Sequence, residues 1–393
     1  MTTTFTELGI KTELVAALAK KSITEPTPIQ IAAIPQLLEK KNAYLLAETG
    51  TGKTLAYLLP LFSRIDTKLP NAQVIIVAPT HELAIQIQRQ CTELSQDSGL
   101  PVRVILLIGG TPIDRQIEKL KKKPHVIVGS LGRIRELIEA RKIKPHLVHT
   151  LVVDEADRLL ASESITDLEI ILKASPRDMS LLFVSATELS GTASAVAALT
   201  TNAVTIKTAD VPVNPDIEHL FLVSPSRDKA ENVRKLIYAL QAKRTIIFTH
   251  TSQEAELITR KLAYHKMSVI DIHGTMHKED RKIAMDRVRS GKVDVLVASD
   301  VAARGLDIKG ITHVINYDMP SDSGAYLHRV GRTGRAGESG AAVSLIADDQ
   351  RYLIRRYMKD LGVIMSEVYM RNGEIHVEKV HNKSKAQESA ENI

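Results

Sequence analysis

The chain has 393 residues, an apolar content of 44% and a formal net charge of +6. This length and composition predict a folded protein of two domains, with three as the alternative, and give no reason to expect disorder in its bulk. The charge is compatible with a polyanionic partner but is too mild to require one. Aromatic residues make up only 4% of the chain and tryptophan is absent, which disfavours binding of single strands on aromatic platforms.

Several other classes of protein are excluded in the same way. The single cysteine, Cys91, rules out an internal disulfide and a cysteine-based zinc site. The first ten residues, MTTTFTELGI, have neither the basic nor the apolar region of a signal peptide. No run approaches the roughly 18 uninterrupted apolar residues of a membrane span. We therefore expect a soluble cytoplasmic protein without a membrane partner.

Residues 5–41 show an amphipathic helical pattern that is interrupted by prolines at 26 and 28. Beyond them, short apolar strands alternate with helical segments, which predicts a parallel sheet covered on both faces. Strands are expected at 43–47, 74–78, 102–108, 126–128, 151–153 and 181–184, and helices from 55 and at 82–94, 114–120 and 133–140.

A polar stretch with two prolines, at 207–215, interrupts this alternation and indicates a linker. The alternation then resumes, with strands expected at 219–223, 245–248, 268–271, 293–298, 314–317 and 340–346, and a closing helix at 349–361. We predict the α/β class, with parallel-sheet lobes at 1–207 and 216–362 and a linker at 208–215. An extension at 363–393 follows, and its mixed charge predicts a disordered end.

The stretch AETGTGKT at 47–54 lies between an apolar strand and an apolar helix. Gly50 and Gly52 permit a close approach of the backbone to a phosphate, and the helix N-terminus favours an anion. Lys53 adds a cation, and the Thr54 hydroxyl can ligate Mg²⁺. Ala47 departs from the usual phosphate loop, which begins with glycine. A flexible surface turn is the alternative, but such a turn does not need the Lys-Thr pair.

Two further clusters carry chemistry. Asp154 and Glu155 follow the strand at 151–153, at the carboxyl edge where ligands bind in parallel sheets. Asp154 is placed to hold Mg²⁺ through water, and Glu155 to orient and deprotonate a water molecule. Arg332 and Arg335 flank a glycine-bearing turn, and their guanidinium groups could bind phosphates across a cleft. A solvated acidic loop and a basic surface loop are the respective alternatives.

With these motifs in order, the chain resembles the DEAD-box ATP-dependent RNA helicases of superfamily 2, over about residues 5–346. The resemblance implies two RecA-like lobes. The motifs that carry it are PTPIQ at 26–30, AETGTGKT at 47–54, PTHELA at 79–84, GG at 109–110, SLGR at 130–133, DEAD at 154–157, SAT at 185–187, ASDVAARGLD at 298–307 and HRVGRTGR at 328–335.

The resemblance also implies ATP and Mg²⁺ as ligands. Gln30 is expected to read the adenine edge, Phe5 to stack on the adenine ring and Asp307 to contact the ribose. The alternative role of Phe5 is to anchor the first helix in the core. The phosphates would be held by the loop residues Thr49, Gly50, Thr51, Gly52, Lys53 and Thr54, with catalysis carried by Lys53, Asp154, Glu155, Arg332 and Arg335.

Other positions are expected to couple hydrolysis to RNA or to contact it, mostly at phosphate and 2′-hydroxyl groups with little sequence preference. For His328, a buried structural role is the alternative. The coupling residues are Asp157, Ser185, Thr187 and His328. The RNA contacts are Thr80, Glu82, Gly110, Gly132, Arg133, Thr251, Arg281, Ser299 and Asp300.

These residues predict a monomeric RNA-dependent ATPase that unwinds short duplexes by ATP-driven closure of its lobes. The departures from the family lie mainly on the RNA side: His81 in place of arginine, Ser130 and Leu131 in place of Thr-Pro, Lys278 in place of glutamine and Ser299 in place of threonine. A non-unwinding, ATP-gated RNA clamp is therefore an alternative, and a DNA-directed translocase is a less favoured one.

Overall fold

The computed structural model describes residues 3–47, 50–160, 164–186, 191–207, 214–273, 276–299, 302, 308, 310–320, 322–334 and 338–378, without the side chain of Lys278. The chain divides into two compact units, and the boundary between them falls within 208–213, outside the described residues. Each unit is a sheet of mostly parallel strands with helices between them, which confirms the predicted fold class.

The described strands of the first unit form one parallel sheet. They are β1 (Ala43–Leu46), β2 (Val74–Val77), β3 (Val104–Leu107), β4 (Val126–Gly129), β5 (Thr150–Asp154), β6 (Ser180–Ser185) and β7 (Val204–Lys207). Their order across the sheet is β3-β4-β2-β5-β6-β1-β7. Because β5, β6 and β1 are neighbours, the segments that follow these three strands meet at one place on the carboxyl edge.

Helices cover both faces of this sheet. They are α1 (Thr12–Ala19), α2 (Pro28–Leu38), α3 (Lys53–Arg64), α4 (His81–Ser98), α5 (Ile113–Leu120), α6 (Leu131–Glu139), α7 (Ala156–Leu160), α8 (Ile165–Ala174) and α9 (Thr192–Leu199). Alternate residues of β2 enter different cores: Val74 and Ile76 pack with α1–α4, whereas Ile75 and Val77 pack with α6–α8. A strand buried on both faces is apolar throughout, and this is why β2 stands out in the sequence as a short apolar run.

The described strands of the second unit form a second sheet. They are β8 (Ile217–Val223), β9 (Thr245–Thr249), β10 (Val269–Ile272), β11 (Val295–Ser299), β12 (His313–Asn316), β13 (Gly340–Ile346), β14 (Ser366–Arg371) and β15 (Glu374–Val377). Their order is β10-β11-β9-β12-β13-β8-β14-β15. The helices are α10 (Lys229–Ala239), α11 (Ser252–Tyr264), α12 (Lys278–Arg289), α13 (Ser323–Val330) and α14 (Arg351–Leu361).

The prediction that strands end at 346 is wrong. β14 pairs in parallel with β8, and β15 returns antiparallel beside β14, so residues 366–377 extend the second sheet. The turn between them is Asn372-Gly373, with φ angles of 53° and 81°. Asn-Gly flanked by alternating apolar residues is a strong hairpin signal, and the sequence interpretation overlooked it. Arg351 anchors the hairpin by donating to both carboxylate oxygens of Glu367, at 2.6 and 2.5 Å.

Among the described residues, none of the helices combines the length and the apolar content that a membrane crossing requires.

Candidate active site

The loop between β1 and α3 has the backbone of an anion cradle. Gly50 and Gly52 adopt φ angles of 89° and 93°, which favour glycine, and Gly52 forms the N-cap of α3. A Cβ atom on Gly52 would lie 2.5 Å from Gln30 Nε2, so a side chain here would displace the Gln30 amide. The Lys53 ammonium donates to the Ala47 carbonyl and thus lies over its own loop. The predicted phosphate site therefore has its turn, its helix N-terminus and its cation together.

Gln30 connects the start of α2 to this loop. Its side chain is buried, its Oε1 accepts from the Thr27 backbone N–H at 2.9 Å, and its Nε2 donates to the Gly52 carbonyl at 3.1 Å. The amide is held in one orientation by these two bonds. The residue expected to read adenine is therefore in direct contact with the residue that caps the phosphate-loop helix.

Phe5 lies in a different environment. Its ring is 1% exposed and packs in the apolar core of the first unit, in a cluster with Leu8, Ile10 and Leu14. In this structure the ring fills the role of a core anchor. Its stacking on adenine stays a prediction.

Asp154 ends β5 and is buried, with both carboxylate oxygens engaged. Oδ2 accepts from the Tyr57 hydroxyl at 2.9 Å, and Oδ1 accepts from the Glu155 backbone N–H at 2.9 Å. Burial, followed by the charge of Glu155, raises the pKa of Asp154 to about 6. Such a carboxyl group gains from a neighbouring cation, because the cation offsets the cost of keeping the charge away from water.

These residues fit a magnesium ion. Thr54 hydrogen-bonds the Tyr57 hydroxyl, so one tyrosine joins the two predicted magnesium ligands, Thr54 and Asp154. The described part of the chain contains no cluster of three or more histidine, cysteine or acidic residues suited to a metal. Mg²⁺ does not need one, since it commonly takes one or two protein oxygens and completes its shell with water and substrate phosphate.

Glu155, the residue after Asp154, adopts an unusual backbone conformation. Its φ angle is 48°, in the left-handed region, and its Oε2 lies 3.5 Å from Arg158 Nη1. Left-handed conformations at non-glycine residues cost energy and are concentrated at functional sites. The left-handed angle at Glu155 therefore marks the turn after β5 as a candidate functional position.

Strand register brings Ser185 to the same edge. Asp154 is aligned with Val184, and Leu46 with Ser185, whose carbonyl accepts from the Ala47 N–H at 3.3 Å. The predicted coupling residue Ser185 and the phosphate loop are thus joined directly. Asp157 is buried in the first turn of α7.

The predicted RNA contacts of the first unit lie in three segments, which follow the neighbouring strands β3, β4 and β2. Thr80 caps α4 by accepting from the Leu83 N–H at 3.2 Å, which places Glu82 in the first turn of that helix. Arg133 Nη1 donates to the Thr111 carbonyl at 3.0 Å, next to Gly110 with its φ angle of 70°. Gly132 lies beside Arg133 in the first turn of α6. Backbone groups and helix starts predominate, which suits contacts to phosphate.

The departure at His81 also lies at this surface. A Cβ atom on Gly109 would lie 3.4 Å from His81 Nε2, so the imidazole covers the first glycine of the GG motif. His81 itself is exposed at the start of α4.

In the second unit, Thr251 caps α11 and exchanges hydrogen bonds with Glu254. Ser299 ends β11 in register with Thr249, two residues before Thr251, so both predicted RNA contacts lie at the carboxyl edge. Arg281 donates to the Ala302 carbonyl at 2.7 Å. These positions are consistent with one binding edge on this unit.

His328 is buried in α13, and Arg332 follows in the next turn and donates from Nε to the His328 carbonyl at 3.2 Å. Gly334, two residues after Arg332, is sterically required, because a Cβ atom there would lie 2.4 Å from Ile217 Cγ1.

Five predicted site residues lie outside the described residues: Thr49, Thr187, Asp300, Asp307 and Arg335.

Sequence reasoning missed two side chains that organise these sites. Tyr57, in an apolar helix run, holds Asp154. Gln116, buried in α5, donates to the Ile108 and Thr111 carbonyls at 3.0 and 3.1 Å and so shapes the loop that carries Gly110. A polar residue on the apolar face of a helix was the available signal for both.

Comparisons with known proteins agree with this geometry. The DEAD/DEAH box helicase family model matches residues 27–193, and the helicase conserved C-terminal domain matches residues 228–337. The DEAD-box ATP-dependent RNA helicase CshC of Bacillus cereus is 37% identical over 357 residues, which cover 91% of each chain. The DEAD-box ATP-dependent RNA helicase CshA of Bacillus subtilis is 37% identical over 90% of this chain and 72% of its own.

Solved structures show the same fold. S. cerevisiae Dbp5 bound to RNA and ADP BeF3 matches with a TM-score of 0.85 and 28% identity, over 93% of this chain and 95% of its own. Mss116p bound to single-stranded RNA and AMP-PNP matches with a TM-score of 0.84 and 25% identity, over 95% of this chain and 80% of its own. The phosphate loop, the acidic turn and these similarities together place the chain in the family of DEAD-box ATP-dependent RNA helicases.

Proposed function

We propose that this protein is an RNA-dependent ATPase that separates short RNA duplexes locally. The observation that carries the proposal is the edge of the first sheet, where Asp154 and Ser185 lie on neighbouring strands and Ser185 bonds directly to the phosphate loop. A nucleotide site and a coupling residue thus share one edge. Family relatives described as ATP-dependent RNA helicases support the same activity.

Each residue of the loop has a definite task in this proposal. The backbone N–H groups between Gly50 and Thr54 and the start of α3 bind the phosphates. Lys53 exchanges its bond to the Ala47 carbonyl for the β- and γ-phosphates. Gln30, already oriented by Thr27 and Gly52, presents its amide to the adenine edge, and a shift of the loop on ATP binding is transmitted to it through the Gly52 carbonyl.

Asp154 and Thr54 would hold Mg²⁺, directly or through water. The ion supplies charge neutralisation at the γ-phosphate when bound. Glu155 orients the attacking water and accepts its proton, since its carboxylate lies at the turn directly after Asp154. Tyr57 keeps the Asp154 carboxylate in one orientation throughout.

In the proposed mechanism, ATP drives closure of the two lobes, and Arg332 and Arg335 then stabilise charge on the transferred phosphoryl group. The protein would act as a monomer, with residues 208–215 as the linker between its lobes. Thermodynamic linkage then requires ATP to tighten RNA binding by the same factor by which RNA tightens ATP binding.

ATP hydrolysis measured with RNA, with DNA of the same sequence and with neither tests this function. RNA alone should stimulate turnover, and Lys53→Gln should abolish it. Equal stimulation by DNA would indicate the DNA-directed alternative instead. A non-hydrolysable ATP analogue should tighten RNA binding, and an unchanged RNA affinity would contradict the closure mechanism.

A non-unwinding RNA clamp is the second candidate, and His81 favours it. The imidazole over Gly109 replaces a permanently charged arginine at a predicted RNA surface, which weakens one phosphate contact. Displacement of a short labelled strand from a duplex distinguishes the candidates. ATP-dependent strand release supports unwinding, whereas RNA-stimulated hydrolysis without strand release supports the clamp.

A further inference from the structure

Helix α11 has an exposed stripe that its own unit leaves uncovered. Leu257, Arg260, Lys261 and Tyr264 recur at spacings of three and four, so they share one face of the helix. The opposite face is buried in the core. Leu257 is 43% exposed and Tyr264 is 85% exposed, so two large apolar side chains flank two cations on a solvent-facing surface.

Helix α10 and the residues before it form the second wall of a groove along this stripe. Arg227, Ala230, Glu231 and Arg234 face the α11 residues across a cavity of about 550 Å³. This volume is typical of sites that take a small ligand or a few side chains. Its apolar floor is formed by the buried Ala230 and Leu262, and the exposed guanidinium and ammonium groups of the other lining residues form its rim.

The rim has an excess of positive charge that the unit itself does not neutralise. Glu231 is the only acidic residue lining the groove in the described part of the chain, and it is committed to Arg234 at 3.0 and 2.5 Å. Within the described residues, the side chains of Arg260 and Lys261 have no ion pair or hydrogen bond. Two adjacent cations are thus available to an anionic partner.

The groove is separate from the predicted RNA edge. Thr251 caps the start of α11, whereas Arg260 lies nine residues further along, about 14 Å at the rise of an α-helix. A cavity of this size with an apolar floor suits side chains better than a sugar–phosphate backbone, which offers charge but no apolar group. An acidic peptide offers both.

We propose that the α10–α11 groove docks an acidic segment of a partner protein, with an apolar side chain seated between Leu257 and Tyr264 and carboxylates on Arg260 and Lys261. The arrangement of an apolar centre within a charged rim is that of a protein–protein contact. This inference does not depend on the proposed ATPase function. The docked segment would leave the carboxyl edge of the sheet open, so RNA and the partner bind together.

Selection of random twelve-residue peptides, displayed on phage, against the full-length protein tests the proposal. Sequences with several Asp or Glu residues around one or two large apolar residues should be enriched. A synthetic enriched peptide should bind the double variant Arg260→Glu, Lys261→Glu at least about tenfold more weakly, which is the usual loss at a central charged contact. Tyr264→Ser should also weaken it.

The matched control is Lys292→Glu, Lys359→Glu, which makes the same charge change at two exposed positions of the second unit outside the groove. It should leave the affinity unchanged, and thermal unfolding of both double variants should match the wild type. Equal losses in both double variants would show charge attraction without a site and would overturn the proposal, as would selection without an acidic consensus. Displacement of the peptide by a single-stranded RNA, or a changed RNA requirement of the ATPase in the groove variant, would assign the groove to RNA instead.

Discussion

Tyr57→Phe removes one oxygen atom from a fully buried helix position and tests how the acidic turn is held. The Tyr57 hydroxyl donates to Asp154 Oδ2 at 2.9 Å and is itself hydrogen-bonded by Thr54. Without it, the buried Asp154 carboxylate keeps only the donor from the Glu155 backbone among its described bonds. We expect the variant to need more Mg²⁺ for the same ATPase rate.

The magnitude follows from the environment of Asp154. A hydrogen bond to a buried charged group contributes about 1.5–3 kcal/mol. Loss of a residue that orients a metal ligand costs about 10–100-fold in metal affinity, which is the same range of energy. The pKa of Asp154 is already raised to about 6 by burial and by Glu155, and the Tyr57 bond opposes that rise. The substitution therefore raises this pKa further and increases the protonated fraction at neutral pH.

The measurement is RNA-stimulated ATP hydrolysis as a function of Mg²⁺ concentration at a fixed concentration of ATP. The Mg²⁺ concentration for half-maximal rate should rise about tenfold or more in Tyr57→Phe. Tyr357→Phe is the matched control, because it removes a buried hydroxyl that donates to the Pro320 carbonyl at 2.5 Å in the second unit. That control should lose stability without changing the dependence on Mg²⁺. Identical Mg²⁺ dependence in wild type and Tyr57→Phe would refute the assigned role of Tyr57.

Three further substitutions test other parts of the structure. Glu155→Gln should retain ATP binding and lose turnover, and undiminished hydrolysis would remove Glu155 from the reaction. Burial lowers the pKa of His219 to about 4 from an ordinary value of 6.5. Below pH 6.5 the unfolded chain therefore takes up a proton that the folded chain does not, and the free energy of unfolding falls as the pH falls towards 4. Between pH 7.5 and pH 5 the His219 contribution to this loss is about 2 kcal/mol, and His219→Gln should abolish it in denaturant titrations at the two pH values; an equal loss in both proteins would contradict the assignment. Gly334→Ala places a Cβ atom 2.4 Å from Ile217 Cγ1 at a φ angle of 63°, and thermal unfolding should report a loss of about 2–4 kcal/mol, whereas an unchanged melting temperature would show that the neighbouring chain yields at little cost.

The phosphate loop and the acidic turn were predictable because their chemistry is local. Gly50, Gly52 and Lys53 lie within one turn of backbone, Asp154 ends its strand and Glu155 follows directly. Residues that are close together in the sequence are then also close together in the structure. The α/β class was predictable for a related reason, since strands buried on both faces are apolar at every position.

The C-terminal hairpin was missed although its signal was present. Asn372-Gly373 adopts the left-handed angles that such a turn requires, but only Val368 and Met370 of β14 face the core. Half of the strand is therefore polar, and its composition resembles that of the charged tail beyond it.

The sequence by itself determined which groups are candidates for the chemistry, because glycine angles, helix starts and carboxylates after strands depend on neighbours in the chain. The tertiary structure decided which groups support them. The Tyr57 hydroxyl meets a carboxylate 97 residues away, and the Ser185 carbonyl reaches Ala47 only because β6 lies between β5 and β1. Strand order and the direction of a buried hydroxyl are set by the packing of distant segments, and no local pattern records them.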